Sequence, residues 1–423
     1  MDDTPTPSSS QCKHVLLWDP RQHSSPLPSL SAPPTTKFTP FHYDEGHLSG
    51  DDLVRYDSAT GIKLIPHPDL WFEDGSLICQ AENTLFRVHR SMLARHSVCF
   101  QNMFSMPQTT VGSGGPEVTF KGTDGERTPV IFLHDTAEDV GNLFTALYDI
   151  DGPNFGNNDQ DDFRMVSGIL RLSTKYIMDA LRDKALAHLS IAWPSTLKAW
   201  DVREDLARSF EIDIAPNGGH LYPHPITIIN LAREVNAPSL LPAAFYELSR
   251  CSFTQIFEPT EDDAAFRPLS PPLSLLSIQD VQRLCLGKEA GQHTITSLIT
   301  AMGNSQYIRP TQLTTHGNSH VRKSSSGGVC VSAAACRKDF SELVDLATQH
   351  YLFDRERGYC DPLYVAEELG QLKSAEFSEC KACARSLEVW AAREREKIWK
   401  SIPTWFRLEP FAEGSPKPGV TLI

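Results

Sequence analysis

Residues 69–104 decide the fold of this chain; they read DLWFEDGSLICQAENTLFRVHRSMLARHSVCFQNMF. The first half of this stretch alternates apolar and polar residues with a period of two, as a half-buried β-strand does. Asp74-Gly75 and Glu82-Asn83 interrupt the alternation with residue types that favour tight turns. We therefore predict a strand ending at Trp71 and Phe72, a second strand at residues 77–81 and a returning strand at residues 84–88.

From Arg90 onward the apolar residues recur at spacings of three and four, which is the period of an amphipathic helix. Ser97 precedes the second part of this run and is a candidate N-cap, because its hydroxyl can accept a hydrogen bond from a nearby backbone N–H. The stretch therefore predicts a strand meander followed by two short helices, with one shared apolar face to bury. The apolar residues of the helical part are Met92, Leu93, Val98, Phe100, Met103 and Phe104.

This order of elements resembles the start of a BTB/POZ domain, in particular that of the BTB proteins abundant in mushroom-forming fungi. The family pattern is an Asp, a hairpin, an F-x-x-H segment, a Leu and then S-x-x-F-x-x-M-F. The resemblance implies an α+β fold class, with an N-terminal BTB/POZ domain (a small mixed sheet flanked by helices) followed by an all-α C-terminal region. The matching residues, for which it implies structural roles, are Asp69, Asp74, Gly75, Phe86, His89, Leu93, Ser97, Phe100, Met103 and Phe104.

The resemblance also implies a function in protein–protein interaction. Family members use this domain for self-association, and some recruit a cullin scaffold while a separate domain selects the ubiquitylation substrate. We therefore expect protein partners, with a homodimer through the BTB domain and an adaptor role for a cullin ubiquitin ligase or a regulatory complex as the further expectation. Cullin-binding members often carry a hydrophobic-x-Glu element in the loop that corresponds to residues 107–128, and this chain has no good equivalent of it.

Composition and periodicity divide the rest of the chain. Residues 1–60 are rich in Pro and Ser and are predicted to be a disordered tail. The predicted BTB domain covers 61–193 and contains a flexible insertion at about 107–128. After it we predict a helical extension at 195–256, a linker-rich segment with one short helix at 257–328, a C-terminal helical region at 329–410 and a tail at 411–423.

Size and charge exclude several classes of protein. A chain of 423 residues is long enough for two or three domains. The formal net charge of −14, without clustered Lys and Arg, argues against nucleic acid as a partner. No run approaches the roughly 20 apolar residues that a membrane span requires, so we expect no membrane partner. The protein is predicted to be intracellular, in the cytoplasm or the nucleus.

Catalytic motifs are absent from the sequence, which has no G-x-S-x-G, H-E-x-x-H, G-x-G-x-x-G or P-loop pattern. The 15 histidines are dispersed rather than gathered near candidate nucleophiles. We therefore predict that the protein is not an enzyme, with no catalytic residue and no cofactor.

The cysteines leave one alternative open. Cys380-x-x-Cys383 has half of a zinc-site spacing, and Cys330 with Cys336 is a loosely spaced candidate for the other half. His350 could supply one ligand, and Cys360 also lies upstream of the C-x-x-C pair. Cys380 and Cys383 are, however, one helical turn apart on a predicted helix, so both could simply be buried thiols. The sequence favours no metal, and a zinc- or redox-responsive regulator based on these cysteines is the alternative function.

Overall fold

A computed structural model describes residues 55–56, 61, 63–106, 119–121, 127–149, 153–213, 221–251, 253, 256, 276–304, 330, 332–353, 360–376 and 380–408. All of these residues lie in one compact unit. Most of the predicted linkers, the predicted tail at 411–423 and residues 1–54 and 57–60 of the predicted N-terminal tail lie outside the described residues. The prediction of disorder up to residue 60 is wrong at Arg55–Tyr56, because these residues form a short strand that pairs with Lys63 and Leu64.

Six strands form one mixed sheet in the described part of the chain. Their order across the sheet is β1-β2-β4-β3-β6-β5, with parallel pairing at β2–β4 and β3–β6 and antiparallel pairing at the other three contacts. The strands are β1 (Arg55–Tyr56), β2 (Lys63–Trp71), β3 (Leu77–Ala81), β4 (Thr84–Val88), β5 (Thr119–Lys121) and β6 (Arg127–Leu133).

Every described element after β6 is helical, so the fold is α+β with its strands confined to the N-terminal third. Single turns of 3₁₀ and π helix occur at Pro238–Leu240 and Gln349–Phe353. The α-helices are α1 (Arg90–His96), α2 (Val98–Ser105), α3 (Ala137–Tyr148), α4 (Gln160–Lys175), α5 (Asp179–Ala192), α6 (Leu197–Asp213), α7 (Pro225–Glu234), α8 (Leu241–Arg250), α9 (Ile278–Gly303), α10 (Ala333–Thr348), α11 (Pro362–Glu376) and α12 (Lys381–Trp405).

The predicted strands at residues 77–81 and 84–88, the strand ending at Trp71 and the helical pair are confirmed by the bounds of β2 to β4, α1 and α2. The predicted meander is wrong in its pairing: β3 and β4 form an antiparallel hairpin, but β2 lies beside β4 and runs parallel to it instead of pairing with β3. Between β3 and β4 the chain reverses at Glu82, which adopts a φ of 49°. Ser97 caps α2 as predicted, since its side chain accepts a hydrogen bond from the backbone N–H of Phe100. Local sequence is sufficient here because turn chemistry and hydrophobic period point to the same boundaries.

Each of the two faces of the sheet carries its own apolar residues. On β3, Leu77, Cys79 and Ala81 belong to the main core, whereas Ile78 belongs to a separate small cluster. On β4, Phe86 and Val88 point into the main core and Leu85 into the small cluster. This is the period of two that a strand imposes. The main core is continuous from Leu70 in the sheet to Phe406 after α12.

Three predictions about elements need correction. The predicted flexible insertion at 107–128 contains β5, which pairs with β6 as an antiparallel hairpin; residues 107–118 and 122–126 lie outside the described residues. The short helix predicted within 257–328 is the 26-residue α9. The helical spacing of Ile177, Leu181, Ala185 and Leu189 predicts one helix from Thr174 to Ile191, but the chain is divided differently: α4 continues to Lys175, Ile177 has a φ of 54°, and α5 begins at Asp179.

Packing explains the length of α9. It contacts α8, α10, α11 and α12 and so runs through the middle of the C-terminal helices. Gly287 allows its close approach to Phe406, because a Cβ at this position would lie 1.9 Å from the Phe406 ring. A helix that is buried on several sides is stabilised mainly by packing and does not show one clear apolar face. A prediction from hydrophobic periodicity therefore makes such a helix too short.

Candidate functional site

Asp74, His89 and Tyr148 form a hydrogen-bonded chain where β4 passes into α1. His89 Nε2 lies 3.1 Å from Asp74 Oδ1, and His89 Nδ1 lies 2.9 Å from the Tyr148 hydroxyl. The backbone N–H of His89 also donates to that hydroxyl. The hydrogen bond with His89 lowers the pKa of Asp74, and burial raises the pKa of Tyr148. Both ring nitrogens of His89 therefore have partners, which holds the imidazole in one orientation.

The β2–β3 turn is fixed by close backbone approach at Gly75. A Cβ there would lie 2.8 Å from Arg87 Cγ and 2.9 Å from the Phe72 carbonyl oxygen. Arg87 Nε donates to the Gly75 carbonyl, and Ser76 Oγ accepts from the backbone N–H of Arg90. The turn is thereby tied to both β4 and the first residue of α1.

Ser97 joins the helical pair to the end of α4. Its hydroxyl accepts from the Phe100 N–H at 3.0 Å and donates to the Tyr176 carbonyl at 2.5 Å. The Phe100 ring stacks on Tyr176, with ring centroids 4.9 Å apart. Asp135 accepts a hydrogen bond from the Tyr176 hydroxyl, and this bond together with burial raises the pKa of Tyr176.

The other motif residues are structural in this fold. Phe86 packs edge-on against Phe144 of α3, and Leu93 is fully buried in the main core. The guanidinium of Arg90 lies over the Phe104 ring, and Arg90 Nη2 also donates a hydrogen bond to the Phe104 carbonyl. Met103 packs partly buried against the core, whereas Asp69 is exposed and its N–H donates to His67 Nδ1.

The second face of the sheet has an apolar surface that its strands share. We call it the outer sheet face; its buried cluster is Leu64, Ile78 and Leu85, against which Trp71 and Val130 are partly buried. All five residues come from strands. Phe132 lies on the same face, because it pairs with Gln80 two residues along β3 from Ile78, and its side chain is 45% exposed. This is an exposed aromatic residue beside a small apolar cluster.

A polar cleft of about 730 Å³ lies between the end of β6, α3, α4 and α7. Both of its cationic side chains are in ion pairs: Arg171 with Glu234 at 2.9 Å and Lys175 with Asp135 at 2.6 Å. Burial raises the pKa of Asp139 at its wall. The pairs hold the surrounding elements together, and the remaining carboxyl groups of the lining, Glu82 and Asp139, leave the described part of the cleft without a free cation for an anionic ligand.

Four cysteines converge in the C-terminal half of the molecule, and we call them the cysteine cluster: Cys330, Cys336, Cys380 and Cys383. Their sulfur atoms all lie within 4.8 Å of one another, and all four residues are buried. Cys330 and Cys336 sulfurs are 3.6 Å apart. These are the residues that the sequence left as the alternative metal site; the structure brings all four together.

The cluster is built at the N-terminal ends of two helices. Ser332 caps α10 by accepting from the Ala335 N–H, which places Cys330 before the helix and Cys336 in its first turn. Cys380 is the N-cap residue of α12 and Cys383 follows one turn later. Burial raises the pKa of the Cys336 thiol, and the neighbouring sulfurs raise it further. The other two residues considered lie elsewhere: His350 packs against Tyr351, and Cys360 lies 3.7 Å from Lys288 Nζ.

Sequence reasoning missed two participants in these sites. Tyr148 reaches His89 from 59 residues away, and Phe132 belongs to the outer sheet face only because β6 pairs with β3. The strand period of residues 130–133 was the one signal available for Phe132.

A scan against protein-family models and a search of curated proteins found no match to this chain. Within the described residues, no helix combines the length and apolar character needed to cross a membrane.

Proposed function

We propose that the protein is a BTB/POZ-type interaction module that associates with a second copy of itself. The observation that carries the proposal is the outer sheet face, where Phe132 is exposed beside an apolar cluster made only of strand residues. Apolar surface of this kind is stabilised by removal from water. A second copy is the occupant we infer, because a two-fold interface places the same apolar patch on both sides.

The agreement between the motif and its contacts supports membership of this class. Four residues of the motif each make the close packing or capping contact that a structural role requires: Gly75, Ser97, Phe86 and Phe100. His89 is held by Asp74 and Tyr148 rather than directed into the polar cleft. The proposed role is therefore binding, without catalysis.

The adaptor role is a finer part of the same proposal. A self-associating module can recruit a cullin scaffold or a regulatory complex through a separate surface. The loop in which cullin-binding BTB proteins carry their additional element corresponds to residues 107–128, of which 107–118 and 122–126 lie outside the described residues. We therefore place the test on self-association.

The test is the mass of the full chain in solution, measured by light scattering after size-exclusion chromatography over a range of concentrations. We expect a dimer for the unmodified protein. Phe132→Asp should shift the chain towards monomer, because it places a charge in an apolar interface without removing a core side chain.

The matched control is Val389→Asp on α12, since Val389 is 46% exposed and Phe132 is 45% exposed. This control should remain a dimer with an unchanged concentration dependence. A monomeric unmodified chain at all concentrations, or equal effects of the two substitutions, would contradict the proposal.

A further inference from the structure

We propose that the cysteine cluster binds one Zn²⁺ ion through four thiolates. Zinc in structural sites is four-coordinate and tetrahedral, with Zn–S bonds of about 2.3 Å, which places the sulfurs about 3.8 Å from one another. The four sulfurs of the cysteine cluster lie within 4.8 Å of one another, and those of Cys330 and Cys336 are 3.6 Å apart. A single ion at their centre satisfies this geometry with little movement.

The same distances argue against the two other chemistries of clustered cysteines. A disulfide needs sulfurs about 2.05 Å apart, and the Cys330–Cys336 separation of 3.6 Å is well beyond that. An iron–sulfur cluster distributes its thiolates over several iron atoms and so spaces them more widely than one shared ion does. Tetrahedral S₄ coordination by a single ion is the geometry typical of zinc.

Burial of all four residues supports a structural site rather than a catalytic one. Their exposed fractions are 0% to 3%, so solvent and substrates do not reach the sulfurs. Four protein ligands also leave no open coordination position, which distinguishes structural from catalytic zinc. The N-terminal ends of α10 and α12 both face the cluster, and their helix dipoles favour the negative charge that remains on a Zn(Cys)₄ centre.

Such an ion would fasten the beginnings of α10 and α12 to each other. The two helices meet through residues far apart in sequence, and the segment between Cys336 and Cys380 includes the whole of α11. A metal bound only by the folded arrangement stabilises that arrangement. This inference does not depend on self-association, which involves the sheet.

The experiment is metal analysis of the full chain, purified under reducing conditions without chelator. We expect one equivalent of zinc per chain. Apo protein, prepared by chelation under reducing conditions, should bind one equivalent of added Zn²⁺ and melt at a higher temperature after binding it. Absence of zinc together with no uptake of added Zn²⁺ would overturn the proposal, as would intact-mass evidence for disulfides among these cysteines in freshly reduced protein.

The variants test the ligands. Cys380→Ser combined with Cys383→Ser should lose the equivalent of zinc, whereas Cys285→Ser, an exposed cysteine on α9, should retain it. If the double variant does not fold, Co²⁺ added to the unmodified apo protein keeps the test decisive. Four thiolates in a tetrahedron give intense visible absorption bands with Co²⁺, and a colourless or weakly coloured octahedral spectrum would count against the site.

Discussion

At the level of single residues, Ser97 shows how one hydroxyl serves two elements. It accepts from the Phe100 N–H, which would otherwise lack a partner at the start of α2, and donates to the Tyr176 carbonyl after α4. Ser97 is 2% exposed, so water cannot replace either bond. A buried polar group that loses its partner costs more than the bond contributes net.

Ser97→Ala should lower the free energy of unfolding by roughly 1–3 kcal/mol, because it removes an N-cap and leaves a buried carbonyl unsatisfied. Urea unfolding of the full chain, followed by circular dichroism, measures the change. Ser105→Ala is the control: that hydroxyl donates to Gln101 within the exposed end of α2, so we expect a change below about 0.5 kcal/mol. Similar unfolding midpoints for Ser97→Ala and the unmodified chain would refute this role.

At the level of elements, the start of α9 depends on a charged cap. Ser277 accepts from the Asp280 N–H, and its hydroxyl donates to Asp280 Oδ2. Asp280 is also held by Arg233 of α7 at 2.8 Å and by Arg283 at 3.0 Å. Burial alone would raise the pKa of Asp280, but the hydrogen bonds from Arg233 and Ser277 outweigh it and lower the pKa below its ordinary value of 3.8.

The pH dependence follows from the direction of that pKa shift. A carboxyl whose pKa is lower in the folded state contributes stability that is complete above its unfolded pKa and is lost as the pH falls through the folded pKa. Asp280→Asn should therefore cost roughly 1–3 kcal/mol near neutral pH, and the difference from the unmodified chain should shrink below about pH 4.

Unfolding free energies measured in urea over a series of pH values give this difference. Asp205→Asn is the control, because the carboxylate of Asp205 is 76% exposed; its effect should stay below about 0.5 kcal/mol throughout. A pH-independent loss for Asp280→Asn would mean that the charge of Asp280 is not what stabilises the cap.

At the level of the whole molecule, a partly buried charge network joins segments that are distant in sequence. Arg250 of α8 contacts Glu247 at 2.8 Å, Glu204 of α6 at 2.9 Å and Asp361 before α11 at 2.7 Å. Tyr246 donates to the same Asp361. The three carboxylates hold the pKa of Arg250 well above its usual range against the effect of burial, and burial raises the pKa of Glu204.

Arg250→Ala should cost about 3 kcal/mol, because it leaves Asp361 without a cation and leaves Glu204 and Glu247 with Arg203 alone. The loss should appear in urea unfolding of the full chain. Arg171→Ala is the control: its pair with Glu234 is at the surface, with both side chains more than a third exposed, so we expect a loss below about 1 kcal/mol. Equal losses for the two substitutions would show that the network does not stabilise the joined segments.

Prediction from sequence succeeded where each interaction is local and failed where it is not. The bounds of β3, β4 and α2 follow from turn residues, caps and hydrophobic period within a few positions. The length of α9 could not be predicted in this way, because the close contact that Gly287 allows is made with Phe406, which is distant in sequence. The cysteine cluster lies between these two cases. Its Cys-x-x-Cys half can be recognised in the sequence, whereas the five residues between Cys330 and Cys336 do not match a metal-site spacing. The start of α10 at the Ser332 cap lies between these two cysteines, whose sulfurs are 3.6 Å apart in the fold.

The amino-acid sequence alone determined the β3–β4 hairpin, the helical pair and the residues that pack between them, since backbone hydrogen bonding and side-chain period act over a few residues. The parallel pairing of β2 with β4 was decided by the tertiary structure. Tertiary structure alone decided that the core runs unbroken into the C-terminal helices, that Phe132 shares a face with Ile78, and that four cysteines from two helix starts meet. These features are contacts between distant segments. Their positions depend on how whole elements pack, which no local pattern of residues specifies.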